Sequence, residues 1–192
     1  SDSFCDDWCL DGYWRRNPTE MGGGTFVDGG THMVDLTLWL AGSAPAEVMA
    51  FYESAGSPVD RFFNLQARLT NRILISLTSA DIAPGRPQRR LTIFGDRGVL
   101  TADWWGGLGA LRKAADIWIH HDGEREKVKA EAPDITPAAA FIAAITEGGI
   151  NLTPGRDGAY AVALIEAAYR SAEEGCLIRV ETPDTTHSSA SP

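Results

Sequence analysis

The stretch RFFNLQARLTNRILISLTSA, residues 61–80, decides the fold class because it has the pattern of two strands joined by a turn. Apolar residues occupy every second position from Phe63 to Leu69 and alternate with polar ones. This period-2 pattern is typical of a strand with one buried and one solvated face. The turn is predicted at residues 70–72, Thr-Asn-Arg. Strands joined by so short a connection pair antiparallel.

Working outward from this hairpin, the pattern predicts more strands and three helices. The helices are expected at 29–41, 136–147 and 156–174, and the other strands at 47–54, on both sides of 95–98, at 116–121, at 125–131 and at 176–182. Helices therefore precede and follow the strands and do not alternate with them. This arrangement predicts an α+β fold: an open, mainly antiparallel β-sheet of about five to seven strands with helices packed on one face.

Composition excludes some partners. The chain has 192 residues and a formal net charge of −9, which argues against nucleic-acid and anionic-membrane partners because both need a basic surface. It has no run of 18 apolar residues and no signal-peptide pattern at its first residues. Three cysteines without a secretion signal fit the cytoplasm, and Cys5 and Cys9 lack the second pair of a zinc site. We therefore expect no metal and a cytoplasmic location.

The stretch GGGTFVDGGTHMVDLTLWLAG, residues 22–42, places two acids and an imidazole on one predicted helix face. Asp28, His32 and Asp35 have the spacing i, i+4 and i+7. A carboxylate can orient an imidazole, and an imidazole can take a proton from a hydroxyl. Structural roles stay open for each residue: a helix cap for Asp28, a half-buried hydrogen-bonded side chain for His32, and a solvated acid for Asp35.

This stretch resembles the G-G-G-x-x-x-D-x-G-x-H-x-x-D motif of the glucose–fructose oxidoreductase and inositol dehydrogenase family, called Gfo/Idh/MocA. Trp14-Arg15 stands where the family often has a Trp before the triple glycine. LTIFGDRGVLTAD, residues 91–103, and DGAYAVALIEAAYRSAEEGCLIRV, residues 157–180, are similar to later family segments. The resemblance runs from about Trp14 to Val180 and covers most of the chain.

The resemblance implies half of a two-domain NAD(P)-dependent oxidoreductase. Family members join an N-terminal Rossmann domain, which holds NAD or NADP, to a C-terminal α/β domain, which holds the sugar or polyol. This sequence resembles the second domain alone, since it has no G-x-G-x-x-G after a strand and no counterpart of the family's Glu-Lys-Pro motif. We therefore expect no cofactor-binding residues here. Predicted boundaries are 1–13 for a loop or interdomain remnant, 14–182 for the domain and 183–192 for a disordered tail.

The resemblance also assigns roles to individual residues. His32 matches the family's catalytic histidine, the base that removes the hydroxyl proton while hydride leaves the same carbon, and Asp28 matches its active-site aspartate. Residues expected to contact or support the substrate site are Arg15, Asn17, Gly24 and Asp35.

Three functions stay open at the level of sequence. The chain is expected to be the substrate-binding and catalytic half of a sugar or polyol dehydrogenase, inactive without a Rossmann domain that could be a separate subunit. A free-standing binding or oligomerisation module is the first alternative. A cofactor-independent epimerase or lyase using His32 and Asp28 is the second. In each case the uncovered sheet face predicts a homo-oligomer.

Overall fold

The structure is a computed structural model and describes residues 14–80, 88–105, 115–129, 136–148, 151 and 153–183. The predicted loop at 1–13 lies outside these residues, and so does the predicted tail at 183–192 apart from residue 183. In chain order the elements are a 3₁₀ turn Trp14–Arg16, α1 Pro18–Met21, a π-helical turn Phe26–Gly30, α2 Thr31–Ala41, β1 Pro45–Glu53, β2 Phe62–Leu69, β3 Leu74–Ala80, β4 Gln88–Gly95, β5 Gly98–Trp105, β6 Asp116–His121, β7 Glu124–Val128, α3 Pro137–Thr146, α4 Gly155–Glu174 and β8 Ile178–Arg179.

The described strands pair antiparallel throughout, which confirms the predicted α+β class. They form two sheets of four strands, in the orders β3-β2-β1-β8 and β4-β5-β6-β7, where one sheet of five to seven was predicted. The sheets belong to two compact units, residues 1–83 with 152–192 and residues 84–151. The sequence between β3 and β4 contains Pro84 and Pro87, which have no backbone N–H to donate to a strand ladder.

In the first unit, helices cover one face of the sheet. The alternation predicted for β2 is confirmed, since Phe63, Leu65, Ala67 and Leu69 are all buried. The register aligns Val48 of β1 and Ile75 of β3 with Ala67, so the three strands bury the same face. Helix α4 packs on β1, and α2 packs on α4. This helix-on-sheet layer contains the hydrophobic core. Each Å² of apolar surface that the core removes from water stabilises the fold by about 25 cal/mol.

The helices of this unit end where the sequence predicts. Helix α2 stops at Gly42 (φ 60°) and α4 at Gly175 (φ 65°), each in the left-handed conformation that glycine adopts without strain. Along α4 the buried positions include Ala161, Leu164 and Ala168, an apolar stripe of helical period. The closing strand is shorter than predicted, because only Ile178–Arg179 pairs with β1.

The second unit contains the β4–β5 and β6–β7 hairpins and α3. The predicted turn at Asp122-Gly123 is confirmed, and both residues have positive φ (50° and 80°), as a two-residue type I′ turn requires. Trp104 is 1% exposed and Trp105 is 59% exposed, so one residue of the pair packs inside, as expected for neighbours on a strand.

Candidate active site

The segment leading to α2 begins with a short capped helix. The Asn17 side-chain oxygen accepts a hydrogen bond from the Thr19 N–H at 3.1 Å, which makes Asn17 the N-cap of α1. Helix α1 ends at Gly22 (φ 77°), whose N–H bonds to the Pro18 carbonyl. Asn17, predicted to bind substrate, therefore has a capping role in this structure.

Two side chains, a buried carboxylate and a half-buried phenol, hold the chain after this turn. Asp60, 4% exposed, lies between β1 and β2 and accepts hydrogen bonds from the Phe26 N–H (3.1 Å) and the Thr25 hydroxyl (3.2 Å). Its other carboxylate oxygen accepts from the Tyr169 hydroxyl at 2.6 Å, and the Tyr169 oxygen accepts from the Gly24 N–H at 3.1 Å. Burial, and then the bond to Asp60, raise the pKa of Tyr169 well above its ordinary value of 10.

The glycines of the motif allow this close approach. A Cβ on Gly24 would overlap the Asp60 carboxylate, and a Cβ on Gly23 would press on Val27 and the Tyr169 ring. Gly30 faces the Phe26 ring with no room for a side chain. Phe26 in turn stacks on Phe63 of β2, with ring centroids 4.1 Å apart. The predicted contact of Gly24 with substrate stays a prediction, while its packing against Asp60 is observed.

The structure brings Asp28 and Arg15 together. Asp28 lies in the π-helical turn, and its two carboxylate oxygens accept from Arg15 Nε (3.0 Å) and Nη2 (3.4 Å). The Arg15 guanidinium also lies 4.5 Å from the centre of the Trp14 ring. The Asp28 side chain stays 39% exposed, so its remaining lone pairs can accept hydrogen bonds from a hydroxyl in solution.

His32 and Asp35 follow on α2, and both are exposed. Among hydrogen bonds and ion pairs between described residues, none joins the Asp28 carboxylate to the His32 ring, and Asp28 pairs with Arg15. The helix also begins earlier than the predicted residue 29, since the π-helical turn starts at Phe26. The roles predicted for His32, Asp28 and Asp35 stay predictions.

Asp60 and Tyr169 were missed by sequence reasoning. Asp60 lies 34 residues from Phe26, and Tyr169 lies 145 residues from Gly24, the backbone groups to which they bond. Neither belongs to a local spacing pattern. Thr25 occupies the N-cap position of this helix, but its side chain makes no capping bond to a described residue. Its hydroxyl bonds to Asp60 instead.

A concave surface lies elsewhere in the chain. A groove of about 530 Å³ in the second unit is lined by the β4–β5 and β6–β7 turns, including Arg97, His120, His121 and Arg125. It contains none of the predicted site residues. Among the described residues, no three His, Cys, Asp or Glu side chains are grouped to hold a metal ion. None of the described helices combines the length and hydropathy needed to cross a membrane.

The chain matches the model of one protein family over most of its length. The family model for the C-terminal alpha/beta domain of the Gfo/Idh/MocA oxidoreductase family matches residues 2–181. The chain belongs to this family. A search of curated proteins found no match.

Solved structures show the same Gfo/Idh/MocA fold. Similar chains include the aldose-aldose oxidoreductase from Caulobacter crescentus complexed with glycerol (21% identity, TM-score 0.67, 88% of this chain and 51% of that one). They also include an NAD-binding protein from Listeria innocua (18%, 0.65, 88% and 55%). A third is the WlbA dehydrogenase from Bordetella pertussis in complex with NADH and UDP-GlcNAcA (22%, 0.64, 84% and 46%). This family member thus spans about half the length of the solved structures that it matches.

Proposed function

We propose that these residues form the substrate-binding and catalytic half of an NAD(P)-dependent oxidoreductase that acts on a sugar or polyol hydroxyl. The observation that carries the proposal is the Asp28 carboxylate, held by Arg15 and partly open to solvent, with the exposed His32 following on α2. Family membership supports the oxidoreductase class. The glycerol and UDP-sugar complexes of two similar structures support a polyhydroxy substrate.

The chemistry assigned to this chain is binding and proton transfer. The Asp28 oxygens accept hydrogen bonds from substrate hydroxyls, and Arg15 fixes the plane of that carboxylate through two N–H donors. The His32 imidazole takes the proton of the reacting hydroxyl, which is the role of a general base. Removing this proton makes the alkoxide from which a hydride can leave.

The cofactor would be held outside the described residues. A dinucleotide pyrophosphate needs a glycine-rich turn that runs from a strand into a helix N-terminus, and no described strand is followed by such a turn. When bound by a Rossmann domain, NAD or NADP supplies the hydride acceptor. We therefore propose that the active unit pairs these residues with such a domain, in the same polypeptide or in a separate subunit.

The experiment is an assay of nicotinamide reduction with a panel of aldoses, cyclic polyols and nucleotide sugars. The chain is assayed alone and together with a Rossmann domain of the proposed kind. We expect turnover only in the combined sample, and we expect His32→Ala to reduce it by about 10²–10⁴-fold, the usual contribution of a general base. Because His32 is exposed, its replacement should change the unfolding free energy by less than about 0.5 kcal/mol.

The matched control is His121→Ala, which removes a part-exposed histidine from the second unit. It should leave turnover unchanged. A His32→Ala protein that is destabilised but fully active would contradict the assigned role. Epimerisation or elimination by the chain without nicotinamide would instead support the cofactor-independent alternative.

A further inference from the structure

The start of the helix that carries Asp28 and His32 is capped by a residue distant in sequence. The first N–H groups of a helix have no partner inside it and need an acceptor. Here the Phe26 N–H bonds to the Asp60 carboxylate and the Thr25 N–H to the Asp60 carbonyl, at 3.1 and 3.2 Å. Thr25, at the N-cap position, makes no capping bond through its own side chain to a described residue. An anionic acceptor at this end is also favoured by the helix dipole.

Tyr169 ties this cap to α4. Its hydroxyl donates to Asp60 at 2.6 Å and accepts from the Gly24 N–H at 3.1 Å, so one group holds both the carboxylate and the backbone just before the helix. The Tyr169 ring also contacts Phe63 edge-on, with centroids 5.0 Å apart. The pair is therefore attached to the core of the first unit.

The network leaves no space for a ligand. Both Asp60 carboxylate oxygens accept hydrogen bonds, the residue is 4% exposed, and Gly24 packs directly against its carboxylate. The Asp60 carboxylate therefore cannot contact the substrate directly. Any influence of Asp60 on the Asp28 carboxylate passes through the backbone groups that Asp60 binds.

We propose that Asp60 and Tyr169 are positioning residues that hold the backbone from Gly24 to Asp28, so that the Asp28 carboxylate meets Arg15 in one geometry. The proposal rests on the proposed function for its relevance to catalysis, but its geometry is tested independently. Asp28 is separated from the held Phe26 N–H by one residue, so a loosened cap displaces the carboxylate directly.

The experiment measures hydrogen exchange of the Arg15 Nε–H and the Phe26 N–H by NMR in the 192-residue chain. Tyr169→Phe removes the hydroxyl and keeps the ring, and Asp60→Asn keeps the shape and removes the charge. We expect either variant to speed exchange at both protons by about tenfold, the effect of losing one hydrogen bond in this network. If Tyr169→Phe does not fold, Asp60→Asn alone tests the effect on exchange at these two protons.

The matched control is Ser171→Ala, which removes a buried hydroxyl from the same helix, α4. Ser171 is 0% exposed, accepts from the Ala50 N–H at 3.0 Å and donates to the Cys176 carbonyl at 2.6 Å. The loss of these bonds should lower the melting temperature without changing exchange at the Arg15 Nε–H. Equal acceleration in Ser171→Ala and Tyr169→Phe, or unchanged exchange in both network variants, would overturn the proposal.

A kinetic arm separates this proposal from the proposed function. In the combined enzyme, Tyr169→Phe should reduce kcat about tenfold, with a smaller change in KM, whereas Ser171→Ala should leave both unchanged at a temperature where it is folded. If exchange responds as expected while His32→Ala retains full turnover, the positioning role holds and the catalytic assignment fails. If exchange does not respond while His32→Ala is inactive, the positioning role fails alone.

Discussion

At the scale of single residues, the glycines of the motif allow close packing of a carboxylate and an aromatic ring. Gly24 lies against the Asp60 carboxylate and Gly30 against the Phe26 ring. The sequence indicates that a triple glycine permits close backbone approach, and it does not indicate what approaches. The answer is a buried acid 36 positions later, which no local pattern could reveal.

Gly24→Ala should destabilise the first unit by about 1–3 kcal/mol, the usual cost of overpacking, because the new methyl group overlaps the Asp60 carboxylate. The control is Gly158→Ala in α4, where a Cβ meets no atom within 4 Å. It should stabilise by about 0.5–1 kcal/mol, since alanine is the better helix former. Urea unfolding of both variants measures the difference, and equal stabilities would contradict the packing role.

At the scale of elements, hairpins and helix ends could be predicted from local chemistry. The β6–β7 turn follows from Asp122-Gly123, and the ends of α2 and α4 follow from Gly42 and Gly175. The π-helical turn at Phe26–Gly30 could not be predicted, because it depends on where the Phe26 ring packs. That ring is stacked on Phe63, so the helix start and the sheet form one packing unit.

Phe63→Ala should lower the free energy of unfolding by about 3–5 kcal/mol, the range for a buried phenylalanine. The reason is that Phe63 is 0% exposed and contacts both Phe26 and Tyr169. Phe51→Ala, on the opposite face of the same sheet and 60% exposed, should cost less than about 1 kcal/mol in dilute solution. Denaturation monitored by far-UV circular dichroism tests both. A mild effect of Phe63→Ala would show that the helix start is not anchored through this ring.

At the scale of the whole molecule, the first sheet has one face covered by α2 and α4 and one open face. The open face carries exposed Leu74 (73%) and Phe51 among polar residues such as Gln66 and Thr78. The predicted homo-oligomer through this face stays a prediction. The large apolar side chains on it are the groups that association would remove from water.

We expect the chain to self-associate at high concentration and Leu74→Asp to shift it toward monomer, because a buried carboxylate without a partner is costly. Val162→Asp, at a 50% exposed position on α4, is the control and should leave association unchanged. Sedimentation velocity over a range of concentrations measures both. A wild-type chain that stays monomeric at high concentration would contradict the prediction.

Sequence alone determined the antiparallel hairpins, the helix ends, the buried face of β2 and the family motif, because each depends on residues within a few positions of one another. Only the tertiary structure decided that the strands divide into two sheets, that Arg15 occupies the Asp28 carboxylate, and that Asp60 and Tyr169 cap the helix start. The hydrogen bonds behind the last two outcomes join Arg15 to Asp28, Phe26 to Asp60 and Tyr169 to Asp60, which are 13, 34 and 109 positions apart. Such pairings depend on how the packed layers bring distant side chains together, and local periodicity and turn chemistry do not predict which distant residues meet.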